Sequence, residues 1–295
     1  GVVQKDCLPK TAWPRLALKS QLAAGARNFA AARQAAVEQA APGAGLAALL
    51  DKPNNNLAVE YCKAILELGA PLEPVPLPRQ GANHGDARTA GRYASASALR
   101  ALWRQEGPDA LAPYVPAEAL PRYQAARAAG DDTDPQAVSL AVLSRLRARA
   151  DMGGFAGVRG AAEGLEHRLD SCVRQAVTLE GLCDALTTVR YPRARMRRLL
   201  MDAALGYGSP GAGPGWLALP ALPPYLHLLA ARREAMPLLA AASLPVSPSL
   251  ARLARENDAC ARTARAQTAA SDLAALCRRT PQPMGTAYTV PFTKL

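Results

Sequence analysis

Asp51-Lys52-Pro53-Asn54-Asn55-Asn56-Leu57-Ala58-Val59-Glu60-Tyr61 is the stretch from which the rest of this chain can be read. Pro53 stands where a helix begins, because the N–H it lacks has no partner in a first turn. The spacing predicts a helix to about Leu68, with Leu57, Tyr61, Ala64 and Leu68 on one face and Gly69 as its stop. Asn54 falls in the first turn, where free N–H groups and a partial positive charge suit a phosphate or an adenine edge. A plain helix cap is the competing reading of Asn54.

Downstream, residues 71–79 alternate prolines with apolar residues and end in Arg79. Proline disfavours the α region for the residue before it, so this segment reads as extended, an edge strand or strand-like piece. A guanidinium held at the end of such a segment can grip two phosphate oxygens at once. A polar loop, 81–91, leads to Tyr93-Ala94-Ser95-Ala96-Ser97-Ala98-Leu99-Arg100. Ser95 or Ser97 caps a helix running through Arg104. Its first turn offers hydroxyls and N–H groups to phosphate oxygens, and Arg100 lies one turn beyond Ser97 on the same side. Arg100 there would neutralise charge on a leaving pyrophosphate.

Upstream, residues 14–40 read as two helices: one through Leu16, Leu18 and Leu22 ending at Gly25, and one from Phe29 to Gln39 capped by Asn28. Beyond Gln105 four prolines punctuate the chain and the composition turns helical, which places a domain boundary near residue 107. Helices are expected at 116–129, 135–150, 161–178, 180–188 and 192–205, the last with Met196, Leu199, Leu200, Ala203 and Ala204 as one apolar stripe. Residues 206–215 are a glycine-rich loop without the Lys-Ser/Thr that would end a phosphate cradle. Helices are expected again at about 222–242 and 247–277, and a short strand at 287–292.

The 295 residues carry 35 Lys+Arg against 24 Asp+Glu, a net charge of +11, and 49% are hydrophobic but only 5% aromatic. Such a chain can build a core, favours helices, and suits an anionic partner, nucleic acid before a membrane surface. The basic excess concentrates in Arg190, Arg193, Arg195, Arg197 and Arg198, beside Tyr191. The apolar stripe of that helix leaves Arg195 and Arg198 outward, as phosphate contacts require. No run of about 18 uncharged apolar residues appears, and no apolar stretch follows a basic start, so neither a membrane helix nor a signal peptide is read. Cys7, Cys62, Cys172, Cys183, Cys260 and Cys277 are scattered, with no CxxC pair and no zinc spacing. They read as reduced, mostly buried thiols of a cytoplasmic protein. His167 lies four residues after Glu163, close enough to pair on one helix face, while His84 and His227 fall in a loop and a helix without catalytic neighbours. No Ser/His/Asp, Cys/His or paired-carboxylate set emerges, so a hydrolase is not supported.

In their order and spacing, the Lys52-Pro53-Asn54-Asn55 stretch, Arg79 and the Ser95-x-Ser97-x-x-Arg100 pattern resemble the bacterial tRNA(Met) cytidine acetate ligases, of the HIGH-type nucleotidyltransferase superfamily. Glu163-Gly164-Leu165-Glu166-His167-Arg168, Thr188-Val189-Arg190-Tyr191 and Pro224-Tyr225-Leu226-His227-Leu228-Leu229 resemble further elements of that family. The resemblance implies an α/β fold followed by an all-α part: the C-terminal part of a Rossmann-like nucleotidyltransferase domain over 1–107, then a helical tRNA-binding domain over 108–295, mostly helical overall. It implies ATP together with Mg2+ as cofactor, and tRNA and acetate as partners, with no role for DNA or a membrane. Acetate would be activated to acetyl-adenylate and its acetyl group passed to N4 of the wobble cytidine of elongator tRNA(Met). By position, Asn54, Arg79, Ser95, Ser97 and Arg100 would bind ATP, and the arginines 190–198 would bind RNA. The family's His-x-Gly-His loop has no counterpart in these 295 residues, whose three histidines are His84, His167 and His227. The resemblance therefore predicts weak ATP binding and no adenylation by this chain alone. A non-catalytic helical RNA-binding protein derived from the family, and a different adenylyltransferase of the superfamily, are the alternatives.

Overall fold

Pro53 does begin a helix in the computed structural model, which describes Gln21, Ala24, Gly25 and residues 29–77, 93–161 and 164–294. The chain divides into two units, Gly1–Gly81 and Ala82–Leu295. In the first, α1 (Phe29–Ala40) and the short α2 (Leu46–Leu49) precede α3 (Pro53–Leu68). Ala32, Ala36 and Val37 of α1 are buried, as is Leu50. Arg33 meets Glu60 at 2.6 Å and Asn56 at 3.4 Å, so an ion pair and a hydrogen bond tie α1 to α3. The Asn56 amide donates to the Leu50 carbonyl at 2.7 Å, which holds the turn into α3. Gly69 ends α3 at φ 58, a left-handed position that glycine takes without the Cβ penalty. The expected apolar face of α3 is present but uncovered: Leu57, Tyr61 and Leu68 are exposed. Residues 70–77 carry no regular structure, and the helix expected between residues 14 and 25 lies largely outside the described residues.

The second unit opens with α4 (Ala96–Gln105), packed against a 3-10 turn (Pro108–Leu111) that in turn meets α5 (Leu120–Ala128). The core follows, built by α6 (Pro135–Asp151), α7 (Leu165–Gln175), α8 (Leu179–Leu186) and α9 (Arg193–Leu205). Pro135 at the first turn and the Asp134 carboxylate, which accepts the Gln136 N–H at 2.8 Å, start α6. Val142, Leu146, Leu169, Val173, Leu182, Leu186, Met196 and Leu200 interlock in one buried cluster. The predicted stripe of α9 is buried residue for residue. Polar ends are closed by arginines: Arg147 donates to the Ala176 carbonyl and Arg168 to the Ala185 carbonyl, each at 2.7 Å, at the C-terminal ends of α7 and α8.

Beyond the glycine-rich loop the two helices expected at about 222–242 and 247–277 do not form as expected. The chain forms β1 (Tyr207–Gly208) with β2 (Leu217–Ala218), β3 (Leu226–His227) with β5 (Val246–Ser247), and β4 (Ala230–Ala231) with β6 (Thr293–Lys294), each a parallel two-residue pair. Within 222–242 only a 3-10 turn (Arg233–Ala235) and α10 (Met236–Ala240) are helical. His227, expected in a helix, is therefore on a strand. The span 247–277 breaks into α11 (Leu250–Leu253) and α12 (Asp258–Leu276), because Asn257 caps a new start by accepting the Cys260 N–H at 2.9 Å. The strand expected at 287–292 is instead a 3-10 turn (Thr286–Tyr288), and the pairing moves to Thr293–Lys294. Tyr225, Leu250, Leu253, Cys260, Ala264 and Ala287 form a second, smaller core.

One carboxylate clasps distant parts of this unit. Asp132 receives Arg127, Arg279 at 3.3 Å and the Trp103 indole N–H at 3.4 Å. Burial works against its charge, but the hydrogen bonds from Arg279, Arg127 and Trp103 outweigh burial and hold the carboxyl below its ordinary range.

Candidate nucleotide and nucleic-acid sites

Asn54 is the second residue of α3, in the turn whose N–H groups have no intrahelical acceptor. The N-cap, Lys52, makes no side-chain cap bond. Ser95 settles which serine caps α4: it is buried and its hydroxyl accepts the Ala98 N–H at 3.1 Å. Ser97 and Arg100 are exposed one turn apart on the helix surface, and Arg100 donates to the Ala96 carbonyl at 3.4 Å. Asn54 belongs to the first unit, and Ser95, Ser97 and Arg100 to the second. Arg79, Glu163 and His84 lie outside the described residues. His167 is exposed and sits 3.9 Å from Glu166.

The five arginines of the 190–198 segment divide into distinct states. Arg193 pairs with Glu180 and Asp184, and Arg197 meets Glu180 at 3.3 Å, so acidic residues of α8 compensate both. Arg190 and Arg195 flank the Tyr191 ring at 5.9 and 5.0 Å from its centroid. Arg195 also reaches the Gly160 carbonyl at 3.4 Å and is only half-exposed, where the sequence places it outward. Arg198 is exposed and has no ion-pair or hydrogen-bond partner among the described residues. The bare cationic surface of this segment is therefore smaller than five arginines suggest.

Sequence reading passed over a second basic group. Arg145 and Arg149, on α6, line a cavity of about 630 Å³ with Gly153, Gly154 and Trp216. Arg149 stacks 4.0 Å from the Trp216 ring centroid, and burial lowers its pKa from the usual arginine value. Arg145 and Arg149 are four apart, a signal available in the sequence, but the partner Trp216 comes from a remote loop. Among the described residues no group of His, Cys, Asp and Glu is arranged to hold a metal, and no helix is long and apolar enough to cross a membrane. Cys62, Cys172, Cys183, Cys260 and Cys277 are free thiols, and burial pushes the Cys277 thiol up.

Asn54 thus lies in the first turn of α3 and Ser95 caps α4, in a chain that is mostly helical. The HIGH Nucleotidyl Transferase family model matches residues 10–286, and the chain belongs to that family. Relatives include the tRNA(Met) cytidine acetate ligases of Caldanaerobacter subterraneus subsp. tengcongensis, 27% identical over 64% of this chain and 46% of its own length, and of Staphylococcus saprophyticus, 30% identical over 54% and 41%. The chain thus spans about half the length of the curated relatives it matches. Among solved structures, Thermotoga maritima TmcAL in its apo form matches with a TM-score of 0.79 at 20% identity, over 95% of this chain and 70% of that one. The same protein bound with alpha-thio ATP matches at 0.78. The shared fold upholds the expected class, a nucleotidyltransferase part followed by a helical part and mostly helical overall.

Proposed function

We propose that this chain is part of an ATP-dependent tRNA cytidine acetate ligase. ATP, with Mg2+, activates acetate to acetyl-adenylate and releases pyrophosphate, and the acetyl group passes to N4 of the wobble cytidine of elongator tRNA(Met). In this reading residues 1–107 serve the nucleotide and residues 108–295 hold tRNA. Asn54, Arg79, Ser95, Ser97 and Arg100 contact ATP, with Ser95 acting through the helix start it caps. Arg190, Arg195 and Arg198 face RNA more directly than Arg193 and Arg197, which share their charge with α8. The protein works in the cytoplasm, away from membranes and DNA.

The observation that carries this reading is that both quoted motifs fall at helix N-termini, Asn54 in α3 and Ser95-Ala96-Ser97 in α4, where backbone donors favour phosphate. The names of the relatives and the ATP-type ligand of the solved neighbour support it. The test is acetate-dependent exchange of pyrophosphate into ATP, with and without tRNA, and acetylation of tRNA. Exchange that requires acetate, and is lost in Arg100→Ala, is expected of a longer protein that supplies the His-x-Gly-His part, and none is expected of these 295 residues alone. A second reading, a non-catalytic RNA-binding protein derived from the family, is favoured by the wide separation of His84, His167 and His227, which form no His-x-Gly-His. Retained tRNA binding without exchange, both by these 295 residues and by the longer protein, would select it.

A further inference from the structure

Arg145 is the shared wall of two concavities in the second unit. On one side lies the cavity of about 630 Å³ that Arg149 and Trp216 also line. On the other lies one of about 420 Å³, lined also by Arg265, Thr268, Asp272 and Tyr288. Both volumes fall in the range of small-ligand sites, about 300–1,000 Å³, and so fit a nucleotide unit each.

The charge at this junction is not neutralised by ion pairs among the described residues. Arg127, Arg159, Arg174, Arg193, Arg278 and Arg279 each meet a carboxylate. Arg145 and Arg265 have neither an ion pair nor a hydrogen bond among the described residues. Arg149 bonds only a carbonyl, that of Gly215 at 3.2 Å, while its flat face lies on Trp216. The acid in the second lining, Asp272, is buried and accepts the Gly285 N–H at 2.7 Å, which offsets part of the positive charge there. Each cavity thus combines an open guanidinium with a planar group, the Arg149–Trp216 stack in one and the partly exposed Tyr288 in the other.

Guanidiniums that hold a backbone, interleaved with planar groups that stack bases, are what a single strand recognises; a duplex offers its phosphates but keeps its base faces stacked inside. We propose that the two concavities joined at Arg145 form a track for single-stranded RNA. Backbone phosphates rest on Arg145 and Arg265, and bases lie against Tyr288 and the Arg149–Trp216 stack. The choice of RNA rests on the function proposed above. The track lies on α6, α12 and the loop before β2, and uses none of the arginines of the 190–198 segment.

The test is binding of a short fluorescein-labelled single-stranded RNA to the 295-residue chain across a salt series. The wild type is compared with Arg145→Gln/Arg265→Gln. Affinity is expected to fall on the order of tenfold, and the slope of log K against log salt to flatten by about 1.4, from roughly 0.7 for each single-strand phosphate contact. Both side chains are exposed, so the melting temperature is expected to hold. Ala148→Glu, at an exposed helical position of the first lining, gives a second variant that adds a carboxylate and removes no contact, and it too is expected to weaken binding. Unchanged affinity and slope in both variants overturns the track. Binding of inorganic phosphate or ATP that depends on Arg145 and Arg265, without RNA binding, overturns it as well. If tRNA binds equally to wild type and double variant, the track falls and the ligase reading stands. If short RNA binds through these residues but tRNA is neither bound nor acetylated, the ligase reading falls and the track stands.

Discussion

The guanidinium of Arg149 lies 4.0 Å from the centroid of the Trp216 ring and donates to the Gly215 carbonyl at 3.2 Å. One side chain of α6 thus holds the end of the glycine-rich loop 206–215 by a stack and a hydrogen bond together. The planar fork is needed for both, which an ammonium cannot supply. Arg149→Lys is expected to cost about 1 kcal/mol, read from urea unfolding, with Arg149→Ala costing more. Equal stability of wild type and Arg149→Lys would contradict this account.

Asp132 gathers Arg127, Arg279 and Trp103 around one buried carboxylate. Asp132→Asn removes the charge and leaves the two guanidiniums without it, for an expected loss of about 2 kcal/mol near neutral pH. The carboxyl is held below its ordinary value when folded. Its contribution is therefore complete above the unfolded value, about 4, and is lost as pH falls through the lower folded value. Melting curves between neutral and acidic pH should show the gap between wild type and Asp132→Asn closing only at the acid end.

Gly130 has φ +68, and a Cβ built on it would lie 2.0 Å from Oγ1 and 2.8 Å from Cβ of Thr280. Its carbonyl accepts the Thr280 N–H at 3.0 Å, so the two backbones cannot easily part. Gly130→Ala is expected to cost on the order of 2 kcal/mol, from left-handed strain plus the clash. Adding Thr280→Gly should restore part of that loss, since it removes the side-chain clash but leaves the strain.

Arg198 and Arg193 share a helix but not an electrostatic state. Arg193 is paired with Glu180 and Asp184, whereas Arg198 is exposed and has no such partner among the described residues. If the segment faces tRNA, Arg198→Gln should weaken tRNA binding and flatten its salt dependence by about one contact. Arg193→Gln should change binding less and instead move stability by roughly 0–1 kcal/mol, as a surface ion pair does. A gel-shift salt series on both variants reads the difference, and an equal loss in the two would contradict it.

Local chemistry made much of this protein legible. Pro53 and Pro135 can only start helices where they stand, Gly69 and Gly206 can only end them cheaply, and the stripe from Met196 to Ala204 has one way to be buried. The same local rules put Asn54 in a first turn and offer Ser95 or Ser97 as the cap of α4, and the structure chooses Ser95. What those rules could not supply was the identity of distant partners. Residues 222–242 are rich in Leu and Ala and read as helix, yet Leu226 pairs with Val246 and Ala230 with Thr293. A backbone partner far along the chain overrides local propensity, and nothing in the segment itself announces that partner.

The same holds for charge. The sequence by itself determined that this chain is basic, helical and built around an Asn motif and a Ser-x-Ser-x-x-Arg motif. Only the tertiary structure decided which arginines stay open. It set Arg193 and Arg197 against α8, laid Arg149 on Trp216, and left Arg145 and Arg265 open in the lining of one cavity. A guanidinium's value to an anionic partner depends on the carboxylates within a few ångströms of it, and that distance is fixed by folding alone.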